Sequence, residues 1–373
     1  MSKALSWIKG YFTPVEVTSP KTNNFNIVRF VAAFFVIYGH MSAVMGTACP
    51  LLFTQRISTI GVKIFFIISG YLITKSYLSD PHPGRYMIRR TFRIFPALLV
   101  VVLASVFILG PIMSTLSPSD YFGNPNTWRY LKNLILSPVY ALPGVFTDYI
   151  YPNAINGSLW TLPVEFTMYL VLPACLLLFK KLRCVKLGLL ACTVGTLVLS
   201  LLYAQYFPSW RLVVYGSNLV DALPLLPYFF LGSLCSFPQA KKVFNLQGGI
   251  ALIVLAAVIA PAIVSEALRE LIVFLTFPYF ILSLSLTDRP IFSKWFAKSD
   301  FSYGLYLYGF PIQQITYRLL ASKGFSTFEM ALICFAITLL FAIFSWYLIE
   351  KNAQKLGQKL IKKIGKQTQL KPA

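Results

Sequence analysis

The sequence predicts an all-α integral membrane fold, a bundle of about ten transmembrane helices with both termini cytoplasmic. Three observations predict it. Hydrophobic residues make up 57% of the 373-residue chain and charged residues only 12%. The mean hydropathy is +0.68, and apolar runs of about twenty residues, each long enough to cross a bilayer, recur along the chain. Lysine and arginine also collect in alternate connections. A net charge of +21 on a soluble chain would point to nucleic acid. The apolar runs exclude that partner, so the basic excess needs a membrane explanation.

Taken in order, hydropathy windows place spans at about 25–46, 58–78, 94–114, 157–179, 187–205, 219–237, 248–265, 271–287, 302–320 and 328–349. Residues 1–24 are too polar for the hydrophobic core of a signal peptide and read as a cytoplasmic N-terminal segment. Residues 25–350 form the transmembrane domain and 351–373 a basic cytoplasmic tail. One set of connections carries Lys3, Lys9, Lys21, the Arg85 to Arg93 cluster, Lys180, Lys181, Arg183, Lys186, Lys241, Lys242, Arg289, Lys294, Lys298 and the tail lysines. The opposite set carries Arg56, Arg129, Lys132, Arg211, Arg269, Arg318 and Lys323. The positive-inside rule therefore puts both termini in the cytoplasm, as an even helix count requires. The long outer connection, about 115–156, contains PSDYFGNPNTW and SPVYALPG and reads as a structured loop with short reentrant or interfacial pieces. Six scattered cysteines give neither a disulfide framework nor metal-ligand spacing.

The first span carries RFVAAFFVIYGH, with Arg29 and His40 eleven residues apart. At 100° per residue the two share one helix face, about 16 Å apart along the axis. Arg29 either snorkels to headgroups or serves a site; His40 either packs between helices or acts as a base. A second ionisable group, Glu165 in NGSLWTLPVEFTMYL, lies about eight residues into its span, roughly 12 Å deep by helical rise, which approximates the depth of His40. It is either structurally paired or the carboxylate that orients an imidazole base. RYMIRRTFRIFP sets Arg85, Arg89, Arg90 and Arg93 within one stretch. Anchoring accounts for one or two arginines; four forked donors favour a phosphorylated cosubstrate approaching from the cytoplasm.

These motifs together resemble the acyltransferase 3 family of integral membrane acyltransferases over about residues 22 to 353. Arg29 and His40 match the first-helix pair, GVKIFFIISGY with Ser69, Gly70 and Tyr71 the second helix, RRTFRIFP the arginine run, and SLWTLPVEFTMY with Ser158, Trp160, Glu165 and Tyr169 the next motif. FSYGLYLYGFP and SWYLIEK resemble the late signatures. Gly309 stands where many members carry a second histidine, which leaves His40 as the histidine within a span. The resemblance implies an acyl-CoA cosubstrate, usually acetyl-CoA, entering from the cytoplasm, and an acceptor hydroxyl on a glycan or lipid-linked sugar reached from outside. It implies catalytic roles for His40, Glu165 and Arg29, with Arg29 at the donor's phosphates or the tunnel mouth. Arg89, Arg90 and Arg93 would bind cofactor; Trp160, Ser69 and Tyr71 are candidates for binding substrate. No metal is expected. The expected location is the bacterial cytoplasmic (inner) membrane, with polysaccharide-assembly proteins as further partners.

Bland readings stand beside these. Trp160 at an interface is ordinary, Ser69 and Gly70 suit close helix packing, and Lys63 and Asp221 near outer helix ends either touch a glycan or sit in interfacial water. The lysine-spaced tail reads as an amphipathic helix on anionic lipid. Two other function classes remain open on residues alone. A transporter or flippase for lipid-linked sugars predicts repeated halves and broken helices, which are not visible. A non-enzymatic subunit of polysaccharide assembly would leave His40 replaceable.

Overall fold

The computed structural model describes residues 23–369 apart from 208, 210, 215, 216, 239–242, 288–295, 297 and 298. Segment 1–22 and the basic residues Lys241, Lys242, Arg289, Lys294, Lys298 and Lys371 lie outside the described residues.

The described chain is almost wholly helical. Helix α1 (Phe25–Met45) ends at Gly46, whose φ of 66° stops the helix in the left-handed conformation that glycine adopts without strain. A small hairpin, β1 (Leu51–Leu52) and β2 (Gln55–Arg56), leads into α2 (Ile57–Ser79). Then come α3 (Pro83–Met113), α4 (Gly157–Lys181) and α5 (Val185–Tyr206). These are followed by α6 (Val220–Leu234), α7 (Leu246–Ala262), α8 (Glu266–Leu286) and α9 (Ser302–Leu320). The last are α10 (Thr327–Ser345), a π-helical turn (Trp346–Glu350) and α11 (Lys351–Gln369).

Seven of the described helices are long and apolar enough to cross a membrane. Three of the expected spans differ. Helices α6 and α7 are apolar but shorter than a full crossing, and α9, at 19 residues, carries Gln313, Gln314 and Arg318. Burial of nearly all its faces explains how α9 tolerates that polarity: its partners are protein groups rather than lipid. Exposed Val254, Leu255 and Val258 on α7 mark the opposite case, an apolar surface facing outward from the bundle.

Helix α1 runs antiparallel to α2: Gly39 lies on Ser58, Gly61 on Ala32, and Phe25 stacks on Tyr71 with ring centroids 5.2 Å apart. The crossing of α2 with α6 is closest at Gly70 and Gly232. A Cβ at Gly70 would sit 1.9 Å from the Phe229 carbonyl oxygen, so only glycine permits this approach. Lys63 follows neither expectation for it. Its side chain is 2% exposed and donates to Glu270 at 2.7 and 2.9 Å and to Gln55 at 2.9 Å. The reason is that α8 delivers a carboxylate against α2, and a buried ammonium is tolerated where it is paired.

The connection between α3 and α4 is a structured loop, as its turn residues predict. Two short helices (Pro118–Gly123 and Pro125–Arg129) and a 3-10 turn (Tyr130–Ile135) are tied back by Asn133, which donates to Tyr130 and Val139. The loop then dips into the bundle. Asn156 donates to the Leu307 carbonyl at 2.8 Å and Tyr306 donates to the Ser158 carbonyl at 2.9 Å. The first turn of α4 thus lies against the middle of α9.

Candidate active site

Five helices converge on a narrow cavity of about 40 Å³, lined by Arg29 of α1, Ser69 of α2, Arg93 of α3, Glu165 of α4 and Ser302 at the start of α9. Phe65, Phe66, Tyr303 and Tyr306 make the apolar walls. Glu165 accepts from Ser69 Oγ at 3.1 Å and from the Tyr169 hydroxyl at 2.5 Å. Four of the sequence-selected residues, Arg29, Ser69, Arg93 and Glu165, therefore meet in space although more than 130 residues separate the outermost two in sequence.

Asp300, in the turn before α9, organises the cations of this cavity. Its Oδ2 accepts from Arg29 at 2.5 Å and from Arg93 at 2.7 Å, while Oδ1 accepts from the Ser302 hydroxyl and backbone. Burial opposes its charged form, yet Arg29, Arg93 and the Ser302 bonds outweigh burial and hold the carboxyl down at about 2. Arg93 reaches a second acid, Glu350, at 3.2 Å. Glu350 is 1% exposed and sits in the π turn that follows α10. The extra residue of a π turn re-aims a side chain that a regular helix would direct elsewhere.

The remaining arginines divide between pairing and openness. Arg85 and Arg89 bind Asp80, Arg89 at 2.7 Å. Hydrogen bonds from Arg85 first, then Arg89, outweigh burial and hold the Asp80 carboxyl at about 2. Arg89 nevertheless keeps Nε and Nη2, and Arg90 keeps Nε, buried without a hydrogen-bond partner among the described residues. Arg90 lies over the rings of Tyr86 and Tyr169. Unused donors of this kind are costly unless something accepts from them.

His40 stands apart from this cluster. Its ring meets Phe310 edge-on at 5.4 Å, and Phe310 in turn meets Tyr151 at 5.8 Å. The expected match in depth between His40 and Glu165 does not hold. Ser69, bonded to Glu165, lies opposite the first turns of α1, so Glu165 shares the level of Arg29, roughly 16 Å from His40 by helical rise. The cause is the dipping loop: α4 starts inside the bundle, and eight further residues carry Glu165 to the far end. Tyr71 packs on Phe25 and does not line the cavity, while Trp160 lies in the turn that opens α4.

The family described as an acyltransferase domain matches residues 22–349. The chain belongs to the acyltransferase 3 family. It is 29% identical to an O-acetyl transferase of Shigella phage Sf6 over 89% of this chain and 96% of the relative. It is 26% identical to nodulation protein 10 of Rhizobium leguminosarum bv. viciae over 93% of this chain and 97% of that protein. A peptidoglycan O-acetyltransferase, OatA, of Listeria monocytogenes is 29% identical over 80% of this chain, which covers 51% of that longer protein. No solved structure matches. The enzyme is an acyltransferase with membrane-spanning helices.

Some residues of this acyltransferase escaped the sequence reading. Asp300 looks like an ordinary loop acid, and only the fold brings it to two arginines. Gln313 and Gln314 gave a signal, two amides in an apolar helix. Gln313 donates to the Ile37 carbonyl of α1 at 2.6 Å and Gln314 to the Tyr151 and Ala154 carbonyls of the outer loop. At Gly309 an added Cβ would lie 3.0 Å from Ile37, so the family's second histidine position faces α1 one turn from His40.

Proposed function

We propose that this acyltransferase moves an acetyl group from acetyl-CoA to a hydroxyl of a cell-envelope glycan. The observation that carries the reading is the cavity joining Arg29, Arg93 and Glu165 between an arginine-rich end and a histidine end of one bundle. Arg89 and Arg90 offer unused guanidinium donors for the CoA phosphates at the arginine end. Arg29 and Arg93, already fixed by Asp300, line the way inward. Glu165 holds Ser69 and Tyr169 along it, a positioning role that replaces the expected pairing with His40.

In this scheme the acyl arm extends past the Arg29 level toward His40. The acceptor oxygen attacks the thioester carbonyl while His40 takes its proton. The tetrahedral intermediate then expels the CoA thiolate, which recovers a proton from the imidazolium, leaving an ester and free CoA. Because the cavity is water-sized, its aromatic walls must part to admit the arm.

The charge distribution supports an orientation with the arginine end at the cytoplasmic face of the inner membrane. Counting α6, α7 and α9 as crossings gives ten, with both termini cytoplasmic. Residues 1–24 and 351–373 are then cytoplasmic segments around a 25–350 membrane domain. Helix α11, which packs Gly357 on Phe92 of α3 and exposes Leu356 and Leu360, rests on the anionic leaflet.

The test uses membranes holding the wild type or His40→Ala at matched expression, with radiolabelled acetyl-CoA and envelope glycan. Label in glycan that depends on His40 is the expected result; undiminished transfer by His40→Ala rejects the mechanism.

A further inference from the structure

The loop between α3 and α4 encloses a groove of about 660 Å³ that the reaction scheme leaves unused. We propose that this groove is the acceptor subsite and holds a pyranoside of the glycan, an inference that rests on the function proposed above. Its volume falls within the ~300–1,000 Å³ of small-ligand sites. Asn124, Asn126, Arg129 and Asn153 line the groove together with the Pro138–Gly144 stretch, which carries Tyr140. The side chains of Asn126, Arg129 and Asn153 have no hydrogen-bond partner among the described residues. Amides and a guanidinium lining one groove together with an aromatic hydroxyl are the groups that read vicinal sugar hydroxyls.

The groove is preformed. Ser114 donates to the Pro143 carbonyl at 2.8 Å, and Thr115 N–H to the Gly144 carbonyl at 2.9 Å. Leu136, Phe146 and Asn153 hold φ values of 61°, 54° and 58°, a region side chains avoid unless the surrounding structure imposes it. Asn153 is itself a lining residue. The turn that carries Asn153 also carries Tyr151, which touches Phe310 and through it His40, so one end of the groove's lining leads toward the histidine end. Burial, with Tyr151 and Asp221 nearby, pushes the Tyr140 hydroxyl up to about 12.

The experiment compares wild type with the Asn126→Ala, Arg129→Ala, Asn153→Gly triple variant, where glycine preserves the left-handed backbone. The probe is envelope polysaccharide stripped of O-acyl esters by mild alkali, fluorescently labelled for a retention assay and unlabelled as acceptor. The expected result is at least a tenfold rise in acceptor KM and loss of retention, with the KM for acetyl-CoA unchanged. Retention by wild type alone, without transfer by either protein, upholds the groove and rejects the acetylation reading. Wild-type acceptor KM and retention in the triple variant overturn the groove while leaving the reaction intact. A wild type that retains no polysaccharide also overturns it.

Discussion

Asp300 holds two guanidiniums with one carboxylate oxygen, and its loss would leave Arg29 without that counter-ion and Arg93 with Glu350 alone. Removing one partner of such a group costs about 3–5 kcal/mol, so Asp300→Asn should melt markedly below wild type in detergent. The pH dependence has a definite sign. The folded carboxyl lies below its ordinary 3.8, at about 2, so its stabilisation is complete above 3.8 and disappears as pH falls through 2. The gap between wild type and Asp300→Asn should stay level from pH 8 to 5 and close toward pH 2; a gap that closes near neutrality contradicts this assignment. Lys63 and Glu270 form a second such unit. Glu270→Gln alone should destabilise more than Lys63→Met with Glu270→Gln together, because the single change strands a buried ammonium. A double variant no better than the single, read by thermal melting, would refute that coupling.

At the scale of elements, two local features set the architecture. Gly70 on α2 meets Gly232 on α6, and Gly70→Ala must push the two backbones apart, at a cost of about 1–3 kcal/mol or more. Reduced yield and an earlier melt are expected, and an unchanged melt would show that the crossing is looser than its contacts. The π turn at Trp346–Glu350 is the second feature. Deleting one residue from it restores a regular helix and rotates Glu350 by about 100°. Transfer should fall as far as in Glu350→Gln. Gly70 was legible as a small residue beside a polar serine in SGY, whereas its partner Gly232 was not singled out and the π turn left no mark in the apolar sequence SWYLIE.

At the scale of the molecule, one bundle presents arginines at one end and His40 with a polar loop at the other. If the proposed orientation is right, a cysteine at position 126 in a cysteine-free background will react with an impermeant maleimide on spheroplasts. A cysteine at position 359 will react only after lysis. Labelling of both, or the reverse pattern, would invert or abolish the proposed sidedness. The separation of ends also explains why a water-sized cavity lies between them: side chains of α1, α2, α3, α4 and α9 close it together.

The sequence by itself determined the membrane character, the helical class, most span positions and the family, because those depend on run length, composition and ordered short motifs that survive in one dimension. It also selected Arg29 and Glu165, since an ionisable group in an apolar run stands out against its neighbours, Arg93 through the arginine cluster and Ser69 through the family resemblance. Which of these meet was decided only in three dimensions. Helical rise counted from an assumed membrane surface placed Glu165 level with His40, but the loop before it enters the bundle and shifts the whole helix inward. The partners Asp300, Glu350 and Asp80 were equally silent in sequence. A loop acid looks the same whether water or two arginines surround it, and only the packing of distant helices makes the difference.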